Sequence, residues 1–82
     1  MDIEHCREFL LLAARLNFTE AASELNMTQP ALSKHVLSLE KELGAPLLDR
    51  STRTFQLTEA GRIFSENASA IIAHYEEAKR AI

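Results

Sequence analysis

A proline at position 30, two residues after a threonine, decides most about this chain. Proline lacks an amide hydrogen, and a helix tolerates it in the first turn, where that hydrogen has no partner anyway. Thr28 is a good cap for that start. Gly44 suits the end of the same helix, and Pro46 confirms the stop. One helix is therefore bracketed between residues 29 and 43 in the middle of an 82-residue chain. Leu32, Val36, Leu39 and Leu43 recur along it at helical spacing and form a narrow apolar stripe. Away from that stripe lie Pro30, Lys34, Leu37, Ser38 and Lys41, with Gln29 and Ser33 on the shoulder.

The segments on either side read in the same way. Asp2 is a capping residue, and Ile3, Cys6, Phe9, Leu10, Ala13 and Leu16 predict a first helix ending near Asn17. Thr19 is the expected cap of a second, two-turn helix whose inward face is Ala21, Ala22 and Leu25. Asn26 and Met27 break it. In residues 47–58 the period changes, and Leu48 and Arg50 against Phe55 and Leu57 predict two short strands around a polar turn at 51–54. Thr58 caps a last helix. Its apolar residues Phe64, Ala68, Ile71, Tyr75, Ala78 and Ile82 are spaced four, three, four, three and four, a seam of the kind that pairs helices. The first half of that seam suits packing onto the first helix, and the second half suits contact with another copy. No stop signal closes this helix, so the chain reads as part of something larger.

Short helix, break and following helix make a helix-turn-helix, and an appended hairpin makes it winged. The expected fold is thus mainly α, three helices plus a two-stranded wing over residues 1–58, followed by a linker or dimerisation helix over 59–82. In such units the N-terminal part of the second helix of the motif enters the major groove. Gln can bond adenine through two atoms, Ser can reach bases or phosphates, and Lys can reach guanine or phosphate.

Charge locates this chemistry. The net charge is −3, unlike a generic nucleic-acid binder. Residues 28–53 carry a net +1 and the remainder −4, so any basic site is local. The acidic sum also suits a helical protein-interaction module, and a salt-dependent titration on duplex DNA separates the two readings. An enzyme is disfavoured: paired carboxylates in motif context, a glycine-rich phosphate loop and Cys/His metal spacing are all lacking. His5, His35 and His74 lie apart in sequence, and neither a catalytic nor a metal site is expected. The single cysteine, Cys6, reads as a small buried hydrophobe. No apolar run approaches the length of a membrane span.

Several of these stretches occur together in one family. FTEAA at 18–22, TQPALS at 28–33, LEKELG at 39–44, LLDR at 47–50 and LTEAG at 57–61 resemble, in order and spacing, the N-terminal domain of LysR-type transcriptional regulators. The resemblance spans essentially the whole chain. It implies a bacterial cytoplasmic regulator, located at the nucleoid, that binds a double-stranded operator as a dimer, or as a tetramer when full length. It implies that a small-molecule effector binds a further C-terminal domain and that this segment carries no cofactor. Thr28, Gln29, Pro30, Ser33 and Lys34 match recognition-helix positions, Arg50 and Arg53 match basic wing positions, and Thr19 matches a capping position. Phe64, Ala68, Ile71, Tyr75, Ala78 and Ile82 fall on the implied dimerisation helix. The chain departs from the family pattern at Lys34, where arginine is frequent, at Leu37 and Ser38, and at Thr52, where glycine is common. Lys is a point charge without arginine's planar fork. Leu37 suits either a thymine methyl or plain exposed surface.

Overall fold

The computed structural model describes residues 1–51 and 55–82. The expected wing arginine Arg53 and the turn residue Thr52 lie outside the described residues. Helix α1 (Ile3–Arg15) is followed by α2 (Phe18–Glu24), α3 (Gln29–Leu43), strand β1 (Leu48–Asp49), strand β2 (Gln56–Leu57) and α4 (Glu59–Ala81). The two strands are antiparallel, with Leu48 opposite Leu57 and Asp49 opposite Gln56. This is the expected winged helix-turn-helix with a long final helix. The strands are shorter than the sequence suggested, since Arg50 and Phe55 fall outside the pairing.

Caps set the helix boundaries. The Asp2 carboxylate accepts the amides of Glu4 at 2.8 Å and His5 at 3.4 Å and so starts α1. Helix α1 stops at Arg15, earlier than expected, because Leu16 turns into the left-handed region at φ 52° while its amide still bonds Leu12 O at 2.7 Å. A residue with a Cβ adopts that conformation at a cost of roughly 1–2 kcal/mol, so the turn is held by its surroundings. Leu16 is therefore no part of the buried stripe. The buried face of α1 is Cys6, Phe9 and Leu12.

The sharp turn also moves the start of α2. Asn17, not Thr19, is the cap: its side-chain oxygen accepts the Glu20 amide at 3.0 Å. With Leu16 in the left-handed region and Asn17 extended, helical geometry begins at Phe18, and Thr19 already lies inside the helix. Asn17→Ala is expected to lower the free energy of unfolding by about 1 kcal/mol, measured by urea unfolding. Thr28 and Gly44 bound α3 as expected, with Thr28 Oγ1 accepting the Ala31 amide at 3.2 Å and Gly44 left-handed at φ 74°.

The core is one cluster. Cys6, Phe9 and Leu12 of α1 meet Ala21 and Ala22 of α2, Leu32, Val36 and Leu39 of α3, Leu47 and Leu48 at the wing, and Phe64 and Ala68 of α4. The two alanines let α2 approach α3 closely. The rings of Phe9 and Phe64 pack tilted at 5.4 Å between centroids, a favoured aromatic arrangement. Arg7 bonds Glu76 across the same pair of helices. Cys6 is fully buried, and burial pushes its thiol pKa up, which makes it inert core. Beyond Ala68 only the half-buried Ile72 of α4 packs against the core. At a rise of 1.5 Å per residue, α4 runs for roughly 35 Å, and its distal residues Ile71, Tyr75, Ala78 and Ile82 are exposed.

Candidate nucleic-acid interface

The fold gathers most of the expected site residues at one corner. Thr28, Gln29, Pro30 and Lys34 are exposed at the N-terminal end of α3, and Ser33 is half-buried beside them. Gln29, Pro30 and Ser33 line a shallow depression whose remaining wall is Phe18 of α2. Pro30 presents a compact ring there and leaves no amide unsatisfied. The exposed end of a helix also carries positive partial charge from its free amides, which favours phosphate.

Gln29 is held in place. Its Nε2 donates to Thr19 Oγ1 at 3.0 Å. Thr19 thus acts as the clamp that joins the two helices of the motif rather than as a cap. The carboxamide nitrogen has two hydrogens. One is used by Thr19, which leaves the other and Oε1 for a partner. That pair of atoms is what two-point recognition of adenine needs.

The wing base is attached to the same corner. The Arg50 guanidinium lies 3.8 Å from Glu40 Oε1 and 5.8 Å from the centroid of the Phe18 ring. Phe18 in turn meets Phe55 edge-on at 5.1 Å. The other oxygen of Glu40 accepts the Leu47 amide at 2.7 Å, so one carboxylate ties α3 to the start of the wing. Asp49 accepts both the amide of Ser51 at 3.0 Å and its hydroxyl at 2.6 Å. Those bonds, the hydroxyl first, hold the Asp49 carboxyl below the ordinary carboxylate range. A half-exposed pair such as Arg50–Glu40 contributes at most about 1 kcal/mol, so Arg50 is oriented without being sequestered.

Four residues essential to this arrangement do not stand out in the sequence as site residues: Phe18, Glu40, Phe55 and Asp49. Phe18 stands at the aromatic position of FTEAA and Glu40 in LEKELG, and those motifs were their available signal. Among the expected dimerisation residues, Phe64 and Ala68 are buried in the chain's own core, while Ile71, Tyr75, Ala78 and Ile82 face outward. On α3, Leu37 is 51% exposed, the outward placement required both for a thymine methyl partner and for plain surface.

The comparisons with known proteins show the family and the fold. The profile of the lysR family of bacterial regulatory helix-turn-helix proteins matches residues 3–62. The probable cat1 operon transcriptional activator of Acinetobacter lwoffii is 44% identical over 81 residues, covering 99% of this chain and 27% of that protein. The chain therefore spans about a quarter of that relative's length. Vibrio fischeri DarR, solved in complex with DNA, superposes with a TM-score of 0.93 at 33% identity, covering 99% of this chain and 28% of DarR. The complex of the BenM DNA-binding domain with catB site 1 DNA superposes with a TM-score of 0.88 at 32% identity, covering 99% and 90% of the two chains.

Proposed function

This chain belongs to the lysR family of bacterial regulatory helix-turn-helix proteins, and on that footing we propose that it is the DNA-binding segment of a transcriptional regulator that acts as a dimer. One observation carries the reading: the capped, proline-started end of α3 exposes Gln29, Pro30 and Lys34 beside Ser33, with Arg50 of the wing held alongside. Gln29 and Ser33 read base edges in the major groove. Lys34 and the helix end bind phosphate. Arg50, with Arg53, contacts the backbone or the minor groove. The activity is binding, not catalysis.

The distal α4 supplies the second half of the mechanism. Ile71, Tyr75, Ala78 and Ile82 pair with the same helix of another copy, so residues 59–82 serve as the linker between two reading heads. Such a dimer reads half-sites about 34 Å or a multiple apart. In the full-length protein we place the small-molecule effector in a C-terminal domain outside this segment, which itself needs no cofactor. None of the described helices is long and apolar enough to cross a membrane. We place the protein at the bacterial nucleoid.

The test is a fluorescence anisotropy titration on random duplex over a range of salt. Saturable binding at low salt is expected, weakening linearly on a log–log plot as salt rises. Lys34→Ala is expected to make that slope shallower by about 1 for each bound protomer, about 2 for the dimer, the change that follows when one phosphate per protomer is no longer neutralised. The absence of a saturable signal at low salt is the outcome expected of a protein-interaction module, and it would rule this proposal out.

A further inference from the structure

On the side of α1 that meets α3, three side chains with metal-binding chemistry converge. His5 and Glu8 are one helical turn apart on α1 and so share a face. His35 comes from α3. Its Nδ1 lies 2.7 Å from Glu8 Oε1. The rings of His5 and His35 stack with centroids 4.0 Å apart and planes 23° from parallel. One donor atom from each of the three residues lies within 4.8 Å of the other two. Among the described residues no other grouping of three such donors occurs.

We infer that His5, Glu8 and His35 form a binding site for a divalent transition-metal ion of the zinc class, bridging α1 and the DNA-reading helix. Two imidazoles and one carboxylate are a ligand set that zinc uses with its fourth position open. A tetrahedral ion with bonds of about 2.0–2.1 Å holds its donors roughly 3.3 Å apart. The Glu8–His35 pair is closer than that value and no donor pair is farther apart than 4.8 Å, so taking up an ion requires the two stacked imidazoles to rotate until their nitrogens converge. Access is suitable too. The side chains of His5, Glu8 and His35 are 20%, 12% and 33% exposed, open enough for an ion to enter and enclosed enough to hold the donors together. Asp2 Oδ2 stands 3.6 Å from His5 Nε2, beyond hydrogen-bond reach, and adds negative charge beside the site. An ion here clamps α3 to α1 next to Lys34, and so couples metal occupancy to the rigidity of the reading helix. The site is independent of whether the chain binds DNA.

Zn2+ is the probe, titrated calorimetrically into the 82-residue chain freed of metal with a chelator, and Co2+ is its spectroscopic substitute. One equivalent of Zn2+ is expected to bind and to raise the thermal midpoint, and Co2+ is expected to give the visible bands of a tetrahedral complex. His5→Ala, Glu8→Gln and His35→Ala are each expected to weaken binding by about tenfold or more, and His74→Ala to leave it unchanged. His35→Gln keeps a hydrogen-bonding group opposite Glu8, so it separates removal of a metal ligand from disruption of the α1–α3 junction. Failure of the wild-type chain to take up Zn2+, or uptake unaltered in the His5→Ala, His35→Ala double variant, would overturn the site and leave Glu8–His35 as a structural hydrogen-bonded contact. A Co2+ spectrum identical to that of the aqueous ion would do the same.

Discussion

Gly61→Ala is expected to lower the thermal midpoint of this chain by about 8–16 °C, although alanine is the better helix former. Gly61 is buried in the first turns of α4, against the backbone at the start of the wing. A Cβ at this position would stand 2.1 Å from the carbonyl oxygen of Leu47 and 3.0 Å from its carbon. That carbonyl is already fixed, since it accepts the Thr58 amide at 3.0 Å. Two effects oppose each other. Alanine gains about 1 kcal/mol over glycine in a helix interior. Overpacking costs typically about 1–3 kcal/mol and occasionally more, and a clash with backbone falls at the upper end because no side chain can rotate out of the way. The net loss is about 2 kcal/mol, and each kcal/mol moves the midpoint of a domain this size by roughly 4–8 °C. Differential scanning calorimetry reads the result directly. A midpoint that rises by a few degrees would mean that α4 does not rest on Leu47 as described.

The second large effect concerns reading rather than stability. Gln29→Ala is expected to leave the fold intact, since the side chain is exposed, and to erase preference at one base pair. A good two-point contact discriminates by about 1–3 kcal/mol, so the ratio between the preferred duplex and its single-base variant should fall by roughly 5- to 150-fold. Competition titrations with the two duplexes measure it. Thr19→Val removes the oxygen that holds Gln29 at 3.0 Å, and should cause a smaller loss in the same direction. Lys34→Ala, by contrast, should weaken binding to both duplexes alike, because a phosphate contact carries no base information. If Gln29→Ala binds every duplex as the wild-type chain does, another residue reads the bases.

These effects differ in how far the amino-acid sequence exposes them. The limits of α3 are legible because Thr28, Pro30 and Gly44 act through their own covalent geometry, whatever surrounds them. The limits of α2 are not. Asn17 and Thr19 are both capping residues, and the choice rests on Leu16 accepting a left-handed turn, which packing decides. Gly61 is visible as the last letter of LTEAG, yet the reason for it is the Leu47 carbonyl, fourteen residues earlier and adjacent only in space. The exposed face at the start of α3 follows from helical periodicity, but its attachments, Thr19 to Gln29 and Glu40 to Arg50, join separate elements. The His5, Glu8 and His35 grouping is the plainest case. His5 and Glu8 share a helix face by spacing alone, while His35, twenty-seven residues from Glu8, reaches them only through the angle at which α3 crosses α1. The seam along α4 is legible as periodicity, and the structure divides it into a half that serves the chain's own core and a half that faces outward.

Selection of bound sequences from a random duplex pool tests the central claim most directly. A dimer that presents two α3 ends should enrich an inverted repeat whose half-site centres lie one helical turn, about 34 Å, or a multiple of it apart. A recovered pool indistinguishable from the input, or half-sites enriched at no fixed spacing, would contradict it.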